Sequence, residues 1–255
     1  MAQKIKAMTF NLRIAVKGDG INYFDYRLPR IIEFLDTEKP DVIGFQEVDG
    51  HMKELLVSSV SGYTFVGCGR NSDYTGESAV LAFRTGKFEL LELENFWLSA
   101  TPKTPGSRYG FDQSSCPRVT TAALLKMKGA DTPFWFVNTH LDHEGKMARM
   151  FGAMQIMQFM STKKEPCILT GDLNAGPDSP AIKLISENKN YPMTDCTANV
   201  GNTFHAYRET PYAKIDYIFT NLACNVDESL VYPDVPVEGV YMSDHRPVGA
   251  FIEIE

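Results

Sequence analysis

The chain has 255 residues, 44% hydrophobic and 22% charged, with a formal net charge of −7. That composition reads as an ordinary globular protein with an ample core, and the acidic balance argues against tight non-specific nucleic-acid binding, which relies on clustered Lys and Arg. No apolar run approaches the ~18 residues of a membrane span. The opening Met1-Ala2-Gln3-Lys4-Ile5-Lys6 lacks the apolar stretch of a signal peptide, so a cytoplasmic protein without a membrane partner is expected.

Short β-type runs alternate with helical stretches. Strands are predicted at Ile5–Asn11, Asp41–Gln46, Tyr63–Gly67, Ala79–Phe83, Phe88–Phe96, Thr120–Met127, Phe134–Thr139, Cys167–Gly171, Ile215–Thr220 and Val248–Ile254. A helix is predicted from Arg27 to Glu38, with Leu28, Ile31, Ile32 and Leu35 on one face and Pro40 at its exit. His51–Val60 gives a second helix. A third, Glu144–Met160, carries Met147, Met150, Phe151, Met154, Met157 and Met160 at 3- and 4-residue steps, read as a packing face. Ser179-Pro180 opens a fourth as N-cap and first-turn proline. The segment Ser99–Arg118, rich in Pro and Gly, is the longest irregular stretch, and such a loop is usually functional. No linker or repeat divides the chain, so residues 1–255 are expected to form one domain of packed α/β layers. The five cysteines (Cys68, Cys116, Cys167, Cys196, Cys224) are odd in number and never spaced as CxxC. That pattern fits neither a disulfide scaffold nor a zinc cluster.

Several apolar runs end in the same kind of chemistry: Phe10-Asn11, Gln46-Glu47, Asn138-Thr139-His140, and Gly171-Asp172-Leu173-Asn174. Asp216 falls inside the apolar run Ile215–Phe219, where a carboxylate is costly unless paired or coordinating. Ser243-Asp244-His245 precedes the last strand. Neighbours on a strand point to opposite faces, so Asp244 and His245 serve one site only if the backbone turns before Pro247. Singly, each motif reads as a turn former or a cap. Together they supply the oxygen and imidazole groups that hold a hard divalent cation and polarise a phosphate.

The ordered set, spanning residues 9 to 245, resembles the endonuclease/exonuclease/phosphatase superfamily of DNase I-like metal-dependent phosphoesterases. The resemblance implies a four-layer α/β/β/α sandwich, two mixed β-sheets face to face with helices outside. It implies Glu47 as principal metal ligand, assisted by Asn11 and Asp244, with Mg2+ as cofactor and Mn2+ as a substitute. Asp172 and Asn174 resemble the pair that positions the attacking water, Asp172 competing with His245 for the role of general base. His245 resembles the phosphate-contacting or proton-transferring histidine, oriented by Asp216, and His140 the histidine that stabilises phosphate charge. Glu77 resembles the acid that hydrogen-bonds His140, with a salt-bridged loop glutamate as the competing reading. Arg118 carries a planar fork suited to phosphate oxygens, alongside Asn174, His140 and His245. Asp142 and His143 adjoin the motif but stay outside the set.

The reaction implied is in-line attack of water on phosphorus. The acidic balance and the missing basic-aromatic array favour a small phosphorylated substrate, a sugar phosphate or compact phosphodiester, over nucleic acid. Lys103, Arg108, Tyr109 and Arg118 in the long loop are expected to set specificity. A Mg2+-dependent endo- or exonuclease, or a repair-type nuclease, is the alternative. A catalytically silent binding module is disfavoured, because every site position holds a competent residue.

Overall fold

The computed structural model describes residues 3–254. Twelve strands and four helices appear in the order β1 (Gln3–Asn11), α1 (Phe24–Glu38), β2 (Val42–Val48), α2 (Gly50–Ser59), β3 (Tyr63–Val66), β4 (Ser78–Arg84), β5 (Phe88–Trp97), β6 (Val119–Met127), β7 (Phe134–His140), α3 (Lys146–Ser161), β8 (Cys167–Asp172), α4 (Pro180–Ser186), β9 (Thr194–Asp195), β10 (Asp216–Thr220), β11 (Leu230–Val231) and β12 (Val248–Ile254). None of these helices is long and apolar enough to cross a membrane.

Two six-stranded sheets form, with strand orders β11-β12-β1-β2-β4-β3 and β5-β6-β7-β8-β10-β9. Both are mixed, since β1–β2 and β7–β8 pair in parallel while their other neighbours run antiparallel. Apolar side chains fill three layers. Phe10, Phe45 and Val80 pack under Leu28, Ile31 and Leu35 of α1 and Met52 and Leu56 of α2. Ile5, Val42, Phe134, Phe136, Ile218 and Ile252 fill the space between the sheets. Trp135, Val137, Leu169 and Tyr217 pack under α3 and α4. Three apolar layers between four layers of elements give the α/β/β/α sandwich that the sequence implies.

The methionine stripe of α3 is its buried face only at the C-terminal end, through Met157 and Met160. Ala148, Gly152, Ala153, Ile156, Met157 and Met160 are buried, whereas Met147 and Met154 stand 49% and 45% exposed. Small residues win the inner face because the helix lies close on the sheet: a Cβ on Gly152 would approach Leu98 and Leu141 to 3.2 Å. The helix start also shifts, α1 beginning three residues before Arg27 with Phe24 buried. Asp216 opens β10 rather than lying within it. Ser179 caps α4 as predicted, its hydroxyl accepting from the Ile182 amide at 3.3 Å.

A polar seam locks one sheet to the other. Asn138 of β7 donates its amide to the carbonyls of Phe45 in β2 (2.8 Å) and Val80 in β4 (3.0 Å). Its oxygen accepts from Gln46 Nε2 (2.7 Å) and Thr170 Oγ1 (3.2 Å). Thr9, Gln46, Asn138 and Thr170 are fully buried, so each bond is made in a medium where an unpaired group is costly. Gly44 sits in the seam because nothing larger fits; a Cβ there would lie 2.2 Å from Thr170 Oγ1 and 2.4 Å from Asn138 Oδ1. Gly44→Ala therefore forces the seam apart and is expected to cost roughly 1–3 kcal/mol. A lower urea midpoint at unchanged slope, compared with the native chain, is the measurement.

Candidate active site

Register brings the polar strand ends together. In the second sheet His140, Asp172 and Asp216 are direct cross-strand neighbours at the ends of β7, β8 and β10. In the first, Asn11 ends β1 beside Gln46. Between Phe45 and Val48 the β2–β4 pairing slips, two residues on β2 facing one on β4. This bulge re-aims Glu47 out of the ladder and into the cleft between the sheets. The chain leaves β1 and β8 by the same device. Asn11 Oδ1 accepts from the Arg13 amide at 2.9 Å, and Asp172 Oδ1 accepts from the Asn174 amide at 2.9 Å. Such Asx turns hold residue i+2 in the left-handed region. Arg13 (φ 53°), Glu47 (φ 61°) and Asn174 (φ 48°) all adopt it, strain of the kind that gathers at functional sites.

The cleft encloses about 320 Å³ and is lined by residues of both sheets, among them Arg13, Glu47, Arg70, Glu77, Arg118, His140, Asp172, Asn174, Asp244 and His245. Asp172 Oδ2 lies at its centre: it accepts from Asn11 Nδ2 at 3.0 Å and lies 3.4 Å from His140 Nε2 and 3.7 Å from His245 Nε2. Burial, reinforced by the charge of Asp216 but opposed by His245, pushes the Asp172 carboxyl up to about 7. That range suits a base working near neutrality.

The two histidines are driven apart. Burial holds His140 well below the ordinary imidazole range, with the charges of Arg118 and His245 acting in the same direction. Its neutral ring accepts from Asn174 Nδ2 at 2.9 Å. Burial also opposes charge on His245, but Asp216, bonded to Nδ1 at 2.9 Å, together with Asp172 and Asp244, outweighs it and lifts the ring to about 10. Thr203 Oγ1 donates to the same Asp216 oxygen at 2.5 Å, fixing the carboxylate behind the ring. Phe204 covers one face of His245 at 4.7 Å between centroids. One neutral and one cationic imidazole therefore flank a single carboxylate, an arrangement that separates acid from base.

Glu47 and Asp244 face the same cleft. Glu47 accepts from Asn11 Nδ2 (3.1 Å) and from the Ile14 amide (2.9 Å). No hydrogen bond reaches Asp244 Oδ2 among the described residues, and Arg13 Nε is 4.0 Å away. Burial raises the Asp244 carboxyl, and the charge of Glu47 adds to it. Under-compensated carboxylates in one cleft fit a hard divalent cation. Asp172, Asp216 and His245 also bring three potential ligand atoms within 4.8 Å of one another, a grouping a metal could take only with the His245 ring deprotonated.

Three sequence expectations meet a different arrangement in the structure. Asn11 turns its nitrogen towards Glu47 and Asp172 while its oxygen accepts from the Arg13 amide, so that here it bridges the two acids. Glu77 lines the cleft but pairs with Arg70 at 2.7 Å, while Asn174 meets His140, so the salt-bridged reading prevails. Of the long loop, Arg118 reaches the cleft. Lys103 pairs with Glu94 (3.0 Å), Arg108 bonds the Ser114 carbonyl (2.7 Å) and Tyr109 bonds Gln155 (2.8 Å), all away from it. Arg118 donates to His143 Nδ1 at 2.8 Å, and Asp142 gathers Ser114, Glu144 and Gly145 around that corner.

Sequence reading missed the residues that hold the site from behind. Arg27, fully buried, donates to the carbonyls of Leu12 and Asn22 (both 2.6 Å) and of Arg13 and Met242 (both 2.7 Å). It thereby ties the exit of β1 to the turn carrying Asp244 and His245. Asp234 accepts from the Met242 and Ser243 amides (2.6 and 3.2 Å). Arg27 looks like a surface position in an amphipathic helix; no local signal marks it.

The family model described as the Endonuclease/Exonuclease/phosphatase family matches residues 8–245. A crystal structure of an endonuclease/exonuclease/phosphatase from Bacteroides vulgatus is similar at 32% identity and a TM-score of 0.92, covering 99% of this chain and 100% of the other. A mannosyl-6-phosphatase from Bacteroides thetaiotaomicron is similar at 27% identity and a TM-score of 0.86, covering 98% and 100%. The human Nocturnin catalytic domain, at 20% identity and a TM-score of 0.75 over 99% and 97% of the two chains, shares the fold.

The Asp216–His245 pair makes a stability prediction with a definite sign. A histidine lifted from 6.5 to about 10 contributes stability that is complete below about pH 6.5 and lost as pH rises through about 10. Asp216→Asn removes it. The difference in thermal midpoint between native and variant chains should shrink as pH is raised across that window, and the His245 ring should titrate several units lower by NMR.

Proposed function

The chain belongs to the endonuclease/exonuclease/phosphatase family, whose members are hydrolases of phosphoester bonds, and we propose that it hydrolyses a small phosphorylated molecule, a sugar phosphate or compact phosphodiester, with a divalent metal. The observation that carries this reading is the single carboxylate of Asp172 set between a neutral His140 and a cationic His245, in a cleft of about 320 Å³ ringed by carboxylates and guanidinium groups.

Glu47 and Asp244 would hold the metal, for which Mg2+ suits oxygen ligands completed by water and substrate phosphate, Mn2+ substituting. When bound, it supplies charge neutralisation at the phosphoryl oxygens. Asp172, ionised and close to its midpoint near neutrality, accepts the proton of the attacking water. Asn174, fixed by its turn, orients that water. His245, kept cationic by Asp216, donates to a phosphoryl oxygen, Arg118 contacts another, and neutral His140 holds Asn174 in place through Nε2. Asn11 keeps Glu47 and Asp172 at a fixed separation. The Asp172–Asp216–His245 cluster is knitted by its own hydrogen bond and works as an acid–base relay.

The similar mannosyl-6-phosphatase and the modest cleft volume of about 320 Å³ support a small substrate. A nuclease is the second reading, supported by the guanidinium groups of Arg13, Arg70 and Arg118 at the cleft and opposed by the net charge of −7.

Two predictions follow from these roles. Glu47→Gln and His245→Ala should each lower kcat/KM on a generic aryl phosphodiester by ~10³, with EDTA abolishing the native rate and Mg2+ restoring it; near-native, EDTA-sensitive rates in both variants would sink the assignment. Across hexose phosphates, aryl diesters, single-stranded DNA and abasic duplex, hexose phosphates or small diesters should give the highest kcat/KM. Faster cleavage of DNA would replace the small-molecule reading with the nuclease.

A further inference from the structure

The cysteine pattern of the sequence shows no disulfide scaffold, yet the fold brings two thiols together. Cys196 Sγ and Cys224 Sγ are 2.8 Å apart. That is well inside van der Waals contact for two sulfurs, though longer than a disulfide bond of about 2.05 Å. Cys196 is fully buried in the layer between the sheets, and Cys224 packs against that layer while remaining partly exposed. The two come from different sheets. Cys196 follows β9, and its amide bonds the Ile218 carbonyl of β10. Cys224 forms an isolated bridge with Ile252 of β12. The remaining cysteines are not part of this contact: Cys116 meets Arg70, and Cys167 bonds within its own corner.

We propose that Cys196 and Cys224 form a reversible dithiol–disulfide pair, a thiol-oxidation site that staples the two sheets together. Cys224 is the attacking sulfur, being the exposed partner and the acceptor of the Cys196 S–H bond; that bond also lowers the Cys224 thiol. With a peroxide as oxidant, the Cys224 thiolate attacks one peroxide oxygen, the O–O bond breaks, and a sulfenic acid and one water form. Cys196 sulfur then attacks the Cys224 sulfur, the S–O bond breaks, and the hydroxyl leaves as a second water with the Cys196 proton. Two thiols and one hydrogen peroxide thus give one disulfide and two waters. The closed loop of about 29 residues contains Thr203 and Asp216, so the staple pins both ends of the segment that supports His245. Cross-linking a loop of this length constrains the unfolded chain and raises stability.

The test is thiol counting and peptide mapping on the folded full chain. After brief treatment of the folded chain with hydrogen peroxide and quenching, alkylation in denaturant should label three of the five cysteines, and digestion without reductant should yield one linked pair of peptides bearing Cys196 and Cys224, released by dithiothreitol. The oxidised form should melt about 5 °C or more above the reduced form. Cys224→Ser, at the partly exposed position, should keep the reduced melting point and show neither the linked pair nor the rise. Five alkylated cysteines after peroxide, or oxidation confined to Cys68 or Cys116, would overturn the proposal.

Discussion

Everything in the cleft depends on the relative position of the two sheets, and a buried amide fixes it. Glu47, Asn11, Asp244 and His245 belong to the first sheet or its entrances, while His140, Asp172 and Asp216 belong to the second. Apolar burial between the sheets drives their association but has no direction. Asn138 supplies the direction: its four hydrogen bonds reach the backbone of β2 and β4 and the side chains of Gln46 and Thr170. Its two acceptors, on the paired residues Phe45 and Val80, stand at the start of the β2 bulge that turns Glu47 into the cleft. The same amide therefore sets sheet register and satisfies backbone that the bulge releases from the ladder.

Charge in the cleft is arranged by burial more than by contact count. Five carboxylates lie in or directly behind one small cleft, and water alone cannot compensate them there. Asp216 is answered by His245, which stays cationic. Glu77 is answered by Arg70. Glu47 and Asp244 are left facing each other with Arg13 at the edge, and Asp172 is held at a midpoint near neutrality. These are different solutions to the same electrostatic problem, and they leave Asp172 near its midpoint between a neutral His140 and a cationic His245. Chemistry that needs a base, an acid and an anion-binding cation has those states available without large rearrangement.

The supports behind the site come from far along the chain. Arg27 of α1 knits the β1 exit to the turn at Met242, and Thr203 from the irregular stretch after β9 braces Asp216. These are hydrogen bonds to backbone carbonyls or to an acid already in use, so no pair of complementary charges announces them in the sequence. The proposed Cys196–Cys224 couple belongs to the same class, two residues whose meeting depends on which strands of different sheets lie side by side.

The sequence by itself determined where the α/β layers and the polar strand ends lie. Alternating apolar runs ending in Asn11, Glu47, His140, Asp172 and Asp216 identify strand ends with shared purpose, because a polar group at the end of a buried strand must be answered by something. Helix positions follow from local capping and periodicity, as at Ser179-Pro180. Tertiary structure decided which partner each polar group takes. Whether Glu77 meets His140 or Arg70, whether Asn11 turns oxygen or nitrogen to the acids, and which face of α3 is buried all depend on sheet register, on the bulge at Glu47, and on how closely a helix approaches. Those are properties of packed surfaces brought together across more than a hundred residues, and no local pattern encodes them.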